Sequence, residues 1–333
     1  MWIAIDAAGA DLGPEPIVSG AIMAIQEYNL NVILVGNGSV LEGLVSKHSQ
    51  FASNIRIEHA PQTIDMDESP GKAIRDKKDS SIMIATRLVK DGEAIGFFSP
   101  GNTGASMASA FKQLGRLPKV KRPVIVTPIP RQGQAPSVLV DAGANVDSNP
   151  DVLLQSAIMG EIYSREILKV IHPSIGILSN GEEESKGTEL TQKVYKALKK
   201  LPINFVGNVE GRDMFGDGKL VDVIVTDGFT GNIVIKTIEG AAKAIFNILK
   251  NNIKESPLAK TGALLLKPTL QAVKRQMDHS SYGGAPLLGV NGIVMIGHGS
   301  SNAWSVKNAL RITKEFSSHK INRHIVDNIE QFC

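Results

Sequence analysis

The stretch that most constrains this chain runs from Leu220 to Gly240, where a β-branched run stops in a polar, glycine-bearing turn and hands over to a helical pattern. Val221 to Val225 is almost wholly apolar and β-branched, the composition of a short buried strand. Asp227, Gly228, Gly231 and Asn232 carry turn chemistry, and Ile233 onward returns to helical spacing through Ile235, Ile238, Ala242 and Ile245. A strand feeding a helix in this way aims the helix's unpaired N–H groups and the positive end of its dipole at the turn, which makes an anion site. Lys236, one turn in, adds a full charge. Taken singly, a glycine-bearing turn before a helix is more often packing than chemistry. The design recurs, however, at Ile95 to Ala105, with Ser99, Gly101, Asn102, Thr103 and Gly104, and at Ser174 to Gly187, with Asn180, Gly181, Lys186 and Gly187. Three such junctions predict strand ends converging on one pocket.

The same alternation fills most of the chain. Strands are expected at Trp2 to Ile5, Asn31 to Val35, Ile55 to Glu58, Ile95 to Phe98, Ile175 to Leu178, Ile203 to Val206 and, last, Gly292 to Ile296 before a terminal helix. Strand and helix in alternation predict a mainly parallel sheet covered on both faces, a doubly wound α/β fold in one unit over residues 1–333. Pro123 to Thr127 and Pro136 to Val140 depart from this, because their short connection suits an antiparallel pair. The helix after Gly101 is rich in small residues from Gly104 to Ala110, which implies close approach of a neighbouring element, with a second subunit as one candidate. Between about 246 and 284 the alternation stops, and two helical patterns flank Ser256 to Pro268, a helical hairpin. Leu258, Leu264, Leu265 and Leu266 lie at its tip, near Lys260 and Lys267. The pattern leaves core, partner contact and membrane-interface anchor open for them, with core first.

Composition enters as a set of exclusions. The 333 residues allow a large core. A net charge of +3 and only 5% aromatic residues argue against nucleic acid as a partner. The only cysteine is Cys333, so no intrachain disulfide forms and a cytosolic setting is expected. No signal peptide opens the chain, and no run of about 18 or more apolar residues suggests a membrane span.

Taken in order, the turns resemble those of the bacterial phosphate acyltransferases of phospholipid synthesis, the PlsX family. The matching pieces are Asp6-Ala-Ala-Gly-Ala-Asp11, Ser99-Pro-Gly-Asn-Thr-Gly-Ala105, Arg122-Pro123, Asp141-Ala-Gly-Ala-Asn145 and Asn180-Gly-Glu-Glu-Glu-Ser-Lys-Gly187. Phe205 to Gly211, Asp227-Gly-Phe-Thr-Gly-Asn232, Leu288-Gly-Val290 and His298-Gly-Ser300 complete the set, which spans nearly the whole chain. The family usually has Met and Gly where this chain has Ala8 and Ala10, and Ala where it has Pro100. The resemblance implies a fold like that of isocitrate and isopropylmalate dehydrogenases and of phosphotransacetylase. It also implies a cytosolic homodimer that associates reversibly with a membrane surface, and it favours the membrane role for the leucine tip. The implied reaction takes a long-chain acyl group from acyl carrier protein to inorganic phosphate, with no cofactor and no metal.

That chemistry suits the residues. Phosphate is anionic at neutral pH and needs little help from a base, and a thiol with a pKa of about 8.5 leaves with little acid assistance. The needs are an anion cradle and stabilisation of the developing oxyanion. Asn102 and Thr103, with backbone N–H groups near Gly104 and Gly231, are therefore expected to hold phosphate. Lys186 and Lys236 supply charge, Asn232 orients a reactant, and His298 donates to the oxyanion or the thiolate. Asp6, Asn145, Asn180 and Asp227 complete the expected pocket, Asp6 and Asp227 being equally readable as turn caps. The acidic carrier protein would dock on Lys112, Arg116, Lys119, Lys121 and Arg122, or on Lys267, Lys274 and Arg275. Rival readings are a short-chain phosphotransacetylase acting on coenzyme A thioesters, a metal- and NAD-dependent dehydrogenase, and a non-catalytic membrane-associated adaptor. The adjacent Glu182, Glu183 and Glu184 make a poor metal set for the dehydrogenase.

Overall fold

A computed structural model describes residues 1–131, 133–277 and 282–332; nothing is described of the side chains of Gln271 and of 274–277. Eleven strands form one sheet in the order β3-β2-β1-β4-β11-β10-β5-β6-β9-β7-β8. The first half holds β1 (Trp2–Asp6), β2 (Asn31–Gly36), β3 (Ile55–His59), β4 (Gly96–Ser99) and β11 (Ile293–Ile296), all parallel. The second holds β6 (Ser137–Val140), β9 (Val223–Val225), β7 (Ile175–Leu178) and β8 (Phe205–Val209), also mutually parallel. Between them, β10 (Ala285–Leu288) pairs antiparallel with β11 and with β5 (Val124–Ile129), and β5 pairs antiparallel with β6. The two parallel halves therefore point in opposite directions.

Helices cover both faces, which is why the strands are apolar on both. One face carries α1 (Pro14–Tyr28), α6 (Pro150–Glu166), α7 (Glu189–Leu198), α11 (Ala303–Ser318) and α12 (Ile321–Phe332). On the other, α4 (Ser81–Lys90) and α5 (Thr103–Gln113) pack over the first half, with α3 (Pro70–Asp76) against α5. The start of α8 (Gly228–Glu255) packs over the second half through Val234, Ile235 and Ile238. The pleat shows in β5, where Val124 and Val126 join the first core and Ile125 the second. The short α2 (Gly38–Val45) flanks the β2–β3 edge.

Within the expected excursion the described chain is helical as far as Met277. After α8 the chain turns through α9 (Pro257–Leu265) into α10 (Lys267–Met277). The four tip leucines are not core: Leu258 is 82% exposed, Leu265 79%, and Leu264 and Leu266 are exposed as well.

Elsewhere the structure differs from the expectations in identifiable ways. Strand β10 lies where the sequence suggested no strand, because Gly283, Gly284 and Pro286 read as a turn. The β8 pairing starts later and runs through Gly207, whose φ of +91° goes with a register shift opposite Ile175 and Gly176. The terminal helix is two helices, broken near Lys320 at φ +51°. The small residues of α5 serve a contact inside the chain. A Cβ on Gly104 would stand 2.4 Å from Pro70 Cγ, and the Ser109 hydroxyl is 2.9 Å from that of Thr86.

Candidate functional site

Each loop singled out by the sequence is built around a polar residue at a strand end. Asp6, fully buried at the end of β1, accepts the Ala8 and Gly9 N–H groups on Oδ1 and the Ser99 hydroxyl on Oδ2. It thereby ties the β1 loop to the β4 loop, where a Cβ on Gly9 would meet Gly101 Cα at 2.8 Å. Ala10 is not among the residues with positive φ, so its Cβ costs no backbone strain.

Asn102 departs from its expected role as a phosphate ligand. Its side-chain oxygen caps α5 by accepting the Ala105 N–H, and its amide donates to the carbonyls of Asp65, Met66 and Glu68. With every polar position engaged and 5% exposure, the side chain holds the loop and offers nothing to an anion. Thr103 is exposed at the first position of α5, and Gly104 is half-buried behind it. His298, exposed beyond β11, accepts the Ser300 N–H on Nδ1 at 3.2 Å, which places the proton of the neutral ring on Nε2.

The second group gathers at the opposite end of the sheet. Asp141, which the sequence reading did not select, is its hub. Oδ1 accepts the N–H groups of Ile125, Gly143 and Ala144, and Oδ2 those of the Asn145 backbone and side chain. The signal was present, since Asp141-Ala-Gly repeats the acid-then-glycine pattern of Asp6. Asn145 spends its amide on Asp141 and on the Pro123 carbonyl, and its own carbonyl accepts the Gly228 N–H. Asp227 caps α8 by accepting the N–H and hydroxyl of Thr230. The helix thus begins at Gly228 rather than at Ile233, and Gly228 and Gly231 form its first turn. Glycine is required there: a Cβ on Gly231 would lie 1.9 Å from the Asp141 carbonyl oxygen.

Asn232 and Lys236 are exposed one turn apart on α8, and Asn232 packs beside Gly143. Beyond β7, Asn180 accepts the Gly187 N–H, and Lys186 is exposed with no ion pair among the described residues. The structure therefore brings Asp6, Asn102, Thr103 and His298 to one end of the sheet. Asn145, Asp227, Gly231, Asn232, Lys236, Asn180 and Lys186 fall at the other. The single pocket expected from the sequence is divided because the strands of the two halves run in opposite directions.

What joins the halves is a groove of about 570 Å³ on the α5 face of the sheet. Gly104, Met107, Ala108 and Phe111 of α5 form one wall, Leu287 of β10 lines it, and Ala144 and Asn145 stand opposite. Arg116, Lys121, Arg122 and Pro123 complete the lining. The volume lies within the ordinary range for small-molecule sites of about 300–1,000 Å³. The sequence pattern marks none of its apolar residues as functional, because an apolar residue beside a groove and one inside a core look alike in a helical pattern.

Comparison with known proteins agrees with this architecture. The family model described as "Fatty acid synthesis protein" matches residues 1–324. The chain is 55% identical over 332 residues to the phosphate acyltransferase of Leptospira biflexa, covering 100% of this chain and 98% of that one. It is 48% identical over 330 residues to the phosphate acyltransferase of Pelotomaculum thermopropionicum, covering 99% and 95%. Among solved structures, a phosphotransacetylase from Streptococcus pyogenes superposes with a TM-score of 0.65 at 19% identity, over 96% of this chain and 94% of that one. A branched-chain phosphotransacylase from Enterococcus faecalis gives 0.58 at 15% identity, over 95% and 98%. At such identities these two likenesses speak for the fold alone, whereas the full-length sequence matches speak for kinship. The chain belongs to the phosphate acyltransferase family of fatty acid and phospholipid synthesis, a family of acyl-transfer enzymes.

Proposed function

We propose that the enzyme transfers a long-chain acyl group from acyl carrier protein to inorganic phosphate, releasing acyl phosphate and free carrier protein. A phosphate oxygen attacks the thioester carbonyl, a C–O bond forms, and the C–S bond breaks with the electron pair leaving on sulfur. The observation that carries this reading is the groove, apolar along α5 and basic where Arg116, Lys121 and Arg122 line it. Lys112 and Lys119 lie exposed on the same stretch of chain, so the surface around that end is positive and suits an acidic carrier. Lys119 and Lys121 have only loose surface partners, Glu330 and Asp151, each at 3.7 Å. Of the second basic cluster, the side chains of Lys274 and Arg275 lie outside the described residues.

Asn232 and Lys236 belong to the reacting centre in this scheme, since Asn232 packs on Gly143, next to the lining residue Ala144. Lys186 and His298 do not line the groove and are left out of it. A homodimer is supported by the uncovered apolar residues Ile245, Ile248 and Leu249 on α8. Reversible association with a membrane surface from the cytoplasm is supported by the exposed leucine tip. Among the described residues no helix is long and apolar enough to cross a membrane.

Hydroxylamine trapping tests the reaction. Incubated with phosphate and, in parallel, with palmitoyl thioesters of carrier protein and of coenzyme A and with acetyl coenzyme A, the enzyme is expected to yield hydroxamate mainly from the carrier protein. Preference for a short-chain coenzyme A thioester would replace this reading with a phosphotransacetylase. No hydroxamate from any of them would leave a non-catalytic adaptor.

A further inference from the structure

The groove has a polarity that neither inorganic phosphate nor a thioester alone would require. Gly104 and Phe111 stand seven residues apart on one helix, so the trough extends over about 10 Å. Met107, Ala108 and Phe111 give it an apolar wall and Leu287 an apolar lining. At the Phe111 end the character changes. The Arg116 guanidinium stands 5.9 Å above the Phe111 ring centroid, so charge and apolar wall meet there. Arg116 uses one nitrogen on the Lys121 carbonyl and keeps its remaining donors. Arg122 is exposed and is in no ion pair among the described residues. A small anion would use the cations and leave the apolar wall in water. A neutral lipid would do the reverse, and a single-chain amphiphile with a phosphate head satisfies both.

We propose that this groove is the acyl phosphate site, with the phosphate head on Arg116 and Arg122 and the acyl chain running from Phe111 along Ala108 and Met107 towards Gly104. The assignment rests on the acyltransferase reading and adds where the chain lies and which residues set its length. Ala108, one turn from Phe111 and half-buried, stands in the path of the chain, and its small side chain leaves the path open.

Calorimetric titration of the full-length protein with inorganic phosphate and with butyl-, octyl- and decylphosphonate tests this without turnover. Burial of a methylene is worth about fourfold in affinity, so the wild type should bind more tightly with each lengthening until the trough is full. In Ala108→Phe the gain with length should disappear, while in Arg122→Glu every length should weaken, by about tenfold at low salt. Wild-type affinity indifferent to chain length, or a folded Ala108→Phe that keeps the gain, would overturn the assignment. If Ala108→Phe does not fold, Phe111→Ser at the exposed end of the wall decides the matter: a diminished gain supports it and an undiminished gain defeats it. Length-dependent binding by a wild type that makes no acyl phosphate from the carrier thioester supports the groove and defeats the acyltransferase reading. Turnover without length-dependent binding defeats the groove alone.

Discussion

Asp222 and Arg131 form a nearly dry ion pair, with side chains 10% and 2% exposed and 2.7 Å between Oδ1 and Nη2. Arg131 also donates to the carbonyls of Ala135 and Val221, while Asp222 Oδ2 accepts the N–H and hydroxyl of Ser174. Burial alone would push the Asp222 carboxyl up. The Ser174 N–H, the Arg131 guanidinium and the Ser174 hydroxyl outweigh it and hold it below the usual carboxylate range. A carboxyl lowered on folding contributes stability that is complete above its unfolded pKa of about 3.9 and is lost as pH falls through the folded value. Asp222→Asn is therefore expected to cost about 3–5 kcal/mol at pH 7, because it strands a buried guanidinium. The gap from wild type should narrow below about pH 4, measured by urea unfolding across pH. A pH-independent gap would mean that packing rather than charge holds this corner. The same economy explains why site residues were harder to read from the sequence than loops. An acid or amide at a strand end needs the same hydrogen-bonding groups to tie a loop as to grip a ligand, and in Asp6, Asn102, Asp141 and Asn145 the loop consumes them.

Among the elements, the hairpin is where burial and composition disagree most. The 28-residue α8 is about 42 Å long and packs on the sheet only through its first turns. Beyond them Ile245 and Ile248 are exposed, and at the far end α9 presents Leu258, Leu264 and Leu265 beside Lys260. An apolar tip flanked by lysines suits insertion among anionic lipid headgroups. Leu265→Glu should abolish co-flotation with phosphatidylglycerol-containing vesicles while leaving the thermal unfolding midpoint unchanged, since the side chain touches no core. Unaltered flotation would assign the tip to a protein partner instead. Most elements were legible because strand and helix differ in period, and the alternation from β1 to β9 follows that difference. Strand β10 was hidden because Gly283 and Gly284 just before it and Pro286 within it carry turn chemistry, and only pairing with β11 and β5 makes Ala285–Leu288 a strand. The late start of β8 was hidden for a related reason, since Gly207 reads as a turn until β7 is beside it.

For the molecule as a whole, the decisive fact is the reversal between the sheet's halves. It takes three antiparallel pairings in a row, β11 with β10, β10 with β5 and β5 with β6. The short connection betrays the last, but no local pattern encodes the middle one, which joins Leu287 to Ile125 across about 160 residues of sequence. The reversal sends the glycine-bearing loops to two ends and leaves the α5 groove as the feature shared by both halves. In the proposed reaction the carrier protein would deliver its thioester over the basic end of that groove, at Arg116 to Arg122. Lys112, in the last turn of α5, is exposed, lies outside the groove lining and has no ion pair among the described residues. Its charge is thus free to act on an approaching acidic surface without touching the reacting atoms. Lys112→Glu should raise KM for acyl carrier protein thioesters by roughly five- to tenfold at low ionic strength and leave KM for phosphate unchanged. The difference should shrink towards wild type near 1 M salt, where the screening length falls to about 3 Å. A KM change that persists at high salt would mean that the substitution distorts α5, and no change at low salt would move the carrier's dock to another face of the enzyme.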